Sequence, residues 1–195
     1  PFLVIIGITT LHCMLTMSFE SVLPYFSVNK LNAEGSAVSY LMMCVGVGSL
    51  ITSLILAGAA DEKFKGKLFY IFALLSGLGP IILAFSSQLY ISLFATILMG
   101  FGQTGFMIIV HTIIQIMSPD YVRGRIAGVY SMYVGGSMAF FNFINGLTAD
   151  YFDPGYSIAI QGLIFIIIIL ISQKKEKVLI SIYNGKSNEL SKYKI

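Results

Sequence analysis

The sequence predicts an all-α integral membrane protein with six membrane-spanning helices. Hydrophobic residues make up 56% of its 195 residues and charged residues only 11%, whereas soluble domains are about 45 to 50% apolar. The mean hydropathy is +0.85, and the apolar residues form long runs separated by short polar segments. These runs lack the period-two alternation of membrane β-strands, so we predict helices.

Six stretches contain enough apolar residues for one crossing, which needs about 20 residues in a helix. They are residues 2–26, 36–60, 68–86, 90–117, 126–149 and 156–172. We therefore expect one transmembrane bundle over residues 1–173 and a basic cytoplasmic tail over residues 174–195. The chain begins at Pro1 directly in hydrophobic sequence, without Met or a basic leader. We expect no cleavable signal peptide and a fragment of a longer protein.

The lysines and arginines divide unevenly between alternate loops. Eleven fall on one side of the predicted membrane and Lys30 alone on the other. The eleven are Lys63, Lys65, Lys67, Arg123, Arg125, Lys174, Lys175, Lys177, Lys186, Lys192 and Lys194. Because basic loops stay inside, both termini are expected in the cytoplasm of a multi-pass protein of the plasma (cytoplasmic) membrane. The net charge of +3 is modest and forms no continuous patch, so nucleic acid is not an expected partner.

Polar side chains form stripes on two of the predicted helices. In the first span they recur every three or four residues, at Thr9, His12, Thr16 and Glu20. In the fourth they are separated by nearly whole turns, at Thr104, His111 and Gln115, with Gln103 beside them. Each set therefore shares one face. Polar groups inside a membrane usually face a bundle interior or a water-filled cavity. The resulting candidates for the substrate and proton pathway are Glu20, His12, Thr16, Gln103, His111 and Gln115.

Each of these candidates also has a simpler interpretation. Glu20 is the only acidic residue within a span and is the candidate for proton coupling, yet near Pro24 it could simply reach the water interface. His12 and His111 could be neutral groups that join helices. Gln103 and Gln115 could likewise be hydrogen-bonding groups that hold helices together. We expect no metal site and no cofactor, because the two histidines have no nearby carboxylate or cysteine spacing. The two cysteines, Cys13 and Cys44, are interpreted as small buried hydrophobic residues.

The remaining spans differ in composition. The second and fifth are rich in small residues, which favour close helix packing, whereas the third and sixth are expected to face lipid. The order cavity, packing, lipid therefore occurs twice and indicates a three-helix repeat. Gly100, Gly102 and Gly105 have the spacing of a dinucleotide-binding fingerprint, but they lie inside a span, so close helix packing is the better interpretation.

Two loops carry further motifs. The first is the segment Pro119, Asp120, Tyr121, Val122, Arg123, Gly124 and Arg125, followed by Ile126, Ala127, Gly128, Val129 and Tyr130. The second is Gly58, Ala59, Ala60 and Asp61, followed by Lys63, Lys65, Gly66 and Lys67.

This arrangement resembles the C-terminal half of a major facilitator superfamily transporter, which consists of two inverted three-helix repeats. The six spans would then be helices seven to twelve. The first loop resembles that of exporters in the enterobactin-exporter and macrolide-efflux branch. The second resembles the superfamily's acidic and basic loop, although Ala57 stands where a glycine is expected. The gating-loop candidates that the resemblance gives are Asp61, Lys63, Lys67, Arg123 and Arg125. The alternative is that the basic residues are plain positive-inside anchors.

The resemblance implies a secondary active transporter, not an enzyme. We expect a proton-coupled exporter of a small amphipathic organic compound, of drug or siderophore type, that works by alternating access. Its partners would be the lipid bilayer, a missing N-terminal six-helix half, the small-molecule substrate and protons. One alternative is a truncated half that cannot transport. The other is a membrane-embedded enzyme, which would need a clustered acid, base and nucleophile that the sequence does not show.

Overall fold

The computed structural model describes residues 2–33, 36–58, 62–149 and 151–175, with side chains described at 3–33, 36–58, 67–149 and 151–173. Within these ranges every regular element is a helix. The helices are α1 (Phe2–His12) with a π-helical turn (Cys13–Met17), α2 (Leu23–Leu31), α3 (Ser36–Gly58), α4 (Glu62–Phe85), α5 (Leu89–Met117), α6 (Arg123–Thr148) and α7 (Pro154–Lys175).

The first predicted span is not one continuous helix. After α1 the chain widens into the π-helical turn, leaves helical geometry over residues 18–22, and resumes as α2. Pro24 has no N–H group, so the carbonyl of Glu20 loses its helical partner and receives only a long contact of 3.4 Å from the Leu23 N–H. The hydroxyl of Ser18 bonds back to the Met14 carbonyl, a contact that competes with regular helix geometry.

Among the described residues, four helices are long and apolar enough to cross a membrane. They are Ser36–Gly58, Lys67–Phe85, Leu89–Met117 and Pro154–Gln173. The first span falls short because its break leaves only Leu3–Met17 as an apolar helix. Helix α6, which corresponds to the fifth predicted span, has 26 residues and is about 39 Å long at 1.5 Å per residue. It is not among the four, since Arg123, Arg125 and many small or polar residues lower its hydropathy.

Helix α5 lies at the centre of the bundle, between α3 and α4, and α4 also packs against α7. Glycines bring these helices into close contact: a Cβ atom on Gly48 would collide with the Ile97 carbonyl, and one on Gly100 with that of Val45. A Cβ atom on Gly102 would lie 2.5 Å from the Ser76 nitrogen. The packing interpretation of the glycine-rich segment is confirmed.

The third predicted span corresponds to α4, and the prediction that it faces lipid is wrong. Phe69, Phe72, Ala73 and Ser76 are buried between α5 and α7, because the single serine and the glycines form a contact surface that the mean hydropathy of the helix conceals. Helix α7 buries Phe165 and Ile169 but exposes much of its isoleucine-rich surface. The exposed residues are Ile160, Leu163, Ile164, Ile167, Leu170 and Ile171.

Helix α6 packs mainly against the first span and leaves most of its surface exposed. Only Tyr130 and Asn145 are buried within it. Three of the small residues expected to mediate close packing are not approached by another helix of the described chain: a Cβ atom on Gly128, Gly135 or Gly146 would meet no atom within 4 Å. This face of α6 is open.

Candidate functional site

The break in the first helix is bridged by side chains from two other helices. In a regular helix the Thr16 and Ser18 carbonyls would accept N–H groups from four residues further on. Here Gln103 Nε2 of α5 donates to the Thr16 carbonyl at 2.6 Å. Asn145 Nδ2 of α6 donates to the Ser18 carbonyl at 2.7 Å. Two side-chain amides therefore support the backbone where the helix is interrupted.

A hydrogen-bonded chain fixes the orientation of His12. The Thr16 hydroxyl donates to the His12 carbonyl at 2.8 Å, so its proton is used there. It then accepts from the Ser76 hydroxyl at 3.2 Å. Ser76, with its proton also used, accepts from His12 Nε2 at 2.7 Å. A neutral His12 thus carries its proton on Nε2 and leaves a lone pair on Nδ1.

A second polar network joins the break to α6 and α7. Gln161 Nε2 donates to the Asn145 Oδ1 at 2.7 Å and lies 3.3 Å from the Ser157 hydroxyl. Asn145 is 3% exposed, so its amide, which also reaches Ser18, is a buried polar group with its hydrogen bonds satisfied.

The six predicted pathway residues separate into two groups. His12, Thr16 and Gln103 are almost completely buried inside the bundle, at 0%, 1% and 3% exposure, where they join α1, α4 and α5. Glu20, His111 and Gln115 are exposed. The His111 ring packs edge-on against that of Tyr130, with centroids 5.2 Å apart.

The predicted gating loop is described only in part. Arg123 forms an ion pair with Asp120 three residues earlier and lies 3.4 Å from the Ser118 carbonyl. Arg125 and Lys67 are exposed. The predicted partner Asp61, and the side chain of Lys63, lie outside the described residues.

At the opposite end of the bundle, α2 is tethered to α7 by an ion pair. Lys30 Nζ lies 3.2 Å from Asp153 Oδ2, and Asp153 Oδ1 accepts the Gly155 N–H at 2.8 Å at the start of α7. Partial burial alone would raise the pKa of Asp153. The hydrogen bonds from Lys30 and from the Tyr156 and Gly155 N–H groups outweigh it and hold the pKa below 3.8.

Sequence reasoning missed the residues that hold the break. Ser76 was assigned to a lipid-facing helix, and Ser18, Asn145 and Gln161 were not singled out. The sequence does contain a signal for Asn145 and Gln161. An asparagine or glutamine inside a membrane span has a high free-energy cost unless its amide is hydrogen-bonded.

Long apolar helices and an interrupted first helix define a polytopic α-helical bundle of the membrane-protein type. The family model of the Major Facilitator Superfamily matches residues 5–178, and the chain belongs to this superfamily. The superfamily prediction is thereby confirmed, while the exporter branch stays a prediction.

One similar solved structure is "The structure of the MFS (major facilitator superfamily) proton:xylose symporter XylE bound to 6-bromo-6-deoxy-D-glucose". It has a TM-score of 0.56 and 16% sequence identity, and the match covers 98% of this chain and 52% of that one. The chain thus spans about half the length of the structure it matches. Comparison with curated proteins gives no match.

Proposed function

We propose that this chain is one six-helix half of a proton-coupled secondary transporter that exports a small amphipathic organic compound by alternating access. It lies in the plasma membrane with both termini in the cytoplasm. Substrate occupies the space between this half and a second six-helix half. The open face of α6, where added Cβ atoms on Gly128, Gly135 and Gly146 would meet no atom of the described residues within 4 Å, supports a partner bundle on that side.

The interrupted first helix is the observation that carries the proposal. Transporters build their sites from discontinuous helices, whose freed backbone groups can bind ligands and change geometry. Here the inner part of the helix is fixed by Gln103 and Asn145. The outer part, α2, follows a non-helical segment and is connected to α7 by the Lys30 ion pair. Two differently anchored parts can move relative to each other at the break.

Glu20 lies within the break and is exposed, which favours it as the proton-coupling carboxyl group. A carboxylate inside the membrane is costly, and such residues usually mark ion or proton pathways. We assign His111 and Gln115 to the pathway surface, since they are exposed. The buried His12, Thr16 and Gln103 take the role of a joint between helices.

Proton coupling and export rest on different arguments. Proton coupling is supported by Glu20 and by the similar structure, which is that of a proton:xylose symporter. Export is supported by the resemblance of residues 119–130 to exporters. Arg125, Lys67, Lys63 and Asp61 are proposed as gating residues at the cytoplasmic end, and the Asp120 to Arg123 ion pair shows that this loop forms charge pairs.

The test is proton-driven transport of a fluorescent amphipathic dye into inverted membrane vesicles. We compare the full-length wild-type protein with Glu20→Gln, and with Glu189→Gln in the basic tail as the matched control. Wild type and Glu189→Gln should accumulate dye when a proton gradient is imposed. Glu20→Gln should lose gradient-driven accumulation but keep exchange of dye down its own gradient.

Coupling through Glu20 and export of an amphipathic compound are contradicted by different results. Full gradient-driven transport by Glu20→Gln removes this carboxyl group from coupling. Absence of dye movement in wild type, with correctly inserted protein, contradicts export of amphipathic compounds.

A further inference from the structure

Two thioether sulfur atoms and one imidazole nitrogen surround the Cys13 sulfur beside the break, in a place that the transport proposal does not use. The Cys13 Sγ lies 3.8 Å from Met17 Sδ and 3.9 Å from Met107 Sδ. It also lies 4.0 Å from His12 Nδ1. The π-helical turn brings Cys13 and Met17 together, and α5 supplies Met107.

A hydrogen bond from the Cys13 thiol accounts for only one of these three contacts. A thiol has one proton and can donate it to only one of the three neighbouring atoms. The other two contacts therefore bring lone pairs toward the same sulfur atom. His12 contributes a lone pair as well, because its Nε2 proton is committed to Ser76. Histidines that bind metals are typically oriented by such a bond at the other ring nitrogen.

The distances fit a metal ion bound among the sulfur atoms. Three sulfur atoms, each at a metal–sulfur bond length of about 2.3 Å, lie about 4 Å from one another in a trigonal arrangement. The distances from Cys13 Sγ to the two thioether sulfur atoms, 3.8 and 3.9 Å, match this spacing. Thiolate and thioether ligands select Cu(I) and similar soft ions.

Charge favours a monovalent ion. Cys13 and His12 are 0% exposed, and a net charge is costly inside a membrane. When a monovalent ion replaces the thiol proton, the metal–thiolate unit is neutral and the proton is released to water. A divalent ion such as Zn²⁺ would leave one uncompensated positive charge. Met17 and Met107 are half-buried, so an ion can enter past their thioethers.

We propose that Cys13, Met17, Met107 and His12 Nδ1 form a binding site for a monovalent soft metal ion, Cu(I) or Ag(I). The site joins the π-helical turn to α5 next to the helix break. The sequence pattern predicts no metal site, because methionine is not counted there as a ligand and Cys13 is interpreted as a small buried hydrophobic residue.

The experiment is a titration of the purified full-length protein in detergent. Cu(I) is added under anaerobic reducing conditions against a colorimetric Cu(I) chelator, and Ag(I) and Zn²⁺ are added in separate arms. Variants Cys13→Ser, Met17→Leu and Met107→Leu are compared with Cys44→Ser and Met132→Leu, which make the same changes away from the cluster. Thermal unfolding of each variant shows that it is folded, and X-ray absorption of the Cu(I) form identifies the ligands.

Wild type should bind one equivalent of Cu(I) or Ag(I) in preference to Zn²⁺, with sulfur ligands at about 2.3 Å. Cys13→Ser should abolish binding, and each Met→Leu change should weaken it about tenfold or more. Cys44→Ser and Met132→Leu should match wild type. The site is disproved by a folded wild type that binds neither ion. Wild-type affinity in Met107→Leu, which remains decisive if Cys13→Ser does not fold, also disproves it.

Discussion

Single side chains decide how the first helix is interrupted. The Thr16 and Ser18 carbonyls are buried among apolar helices, where an unpaired polar group is costly. Gln103 and Asn145 meet this need from α5 and α6. These amides are therefore structural requirements of the break, whatever else the site does.

Removal of the Gln103 amide should destabilise the bundle. Gln103→Leu leaves the Thr16 carbonyl without its 2.6 Å donor, which costs about 1 to 3 kcal/mol. Thermal unfolding in detergent should show a lower midpoint for Gln103→Leu, while the same change at the exposed Gln115 has little effect. Equal midpoints for the two variants would show that the bond does not support the break.

At the scale of helices, close approach between α3 and α5 depends on glycines. Gly48 lies against the backbone of α5. A Cβ atom added to Gly46, two residues earlier, would meet no atom within 4 Å. The two positions therefore form a natural matched pair within one helix.

Gly48→Ala should separate α3 from α5, because its Cβ atom would collide with the Ile97 carbonyl. Overpacking of this kind costs about 1 to 3 kcal/mol. Gly46→Ala should be neutral or slightly stabilising, since alanine has the higher helix propensity. Thermal unfolding midpoints of the two variants check this, and an unchanged midpoint in Gly48→Ala would contradict the observed contact.

The tether between α2 and α7 should depend on pH. Because the folded-state pKa of Asp153 lies below its ordinary value of 3.8, its stabilising contribution is present above that value. It is lost as the pH falls through the folded-state pKa. The pair is partly exposed, with side-chain exposures of 32% and 39%, so solvent screening limits its contribution to about 1 kcal/mol or less.

Unfolding of wild type and Asp153→Asn should therefore be compared between pH 7 and pH 3. At pH 7 wild type should be more stable than Asp153→Asn. This difference in stability should shrink only below about pH 4, where the carboxyl group begins to protonate. A difference that disappears between pH 7 and pH 5 would show that the pKa of Asp153 is not lowered.

At the scale of the whole molecule, sequence predicted helix positions better than helix environments. The predicted ranges 36–60 and 90–117 lie within two residues of α3 and α5 at both ends, because polar and charged residues mark the ends of apolar runs. The predicted stripe of the first span is buried at Thr9, His12 and Thr16. Its outer member, Glu20, lies in the break and is exposed. The spacing of the stripe shows which residues share a face but not what that face contacts. The burial of these residues could therefore not be predicted.

The central claim is that α2 and the rest of the bundle change relative position during alternating access. Its most direct test is the labelling rate of Tyr25→Cys on α2 by a membrane-impermeant maleimide in intact cells, with and without a proton gradient. Tyr151→Cys, in the exposed segment after α6, is the matched control, and the parent protein gives the background. We predict a rate that changes severalfold at position 25 and stays constant at position 151. Equal rates at position 25 under both conditions would contradict the account.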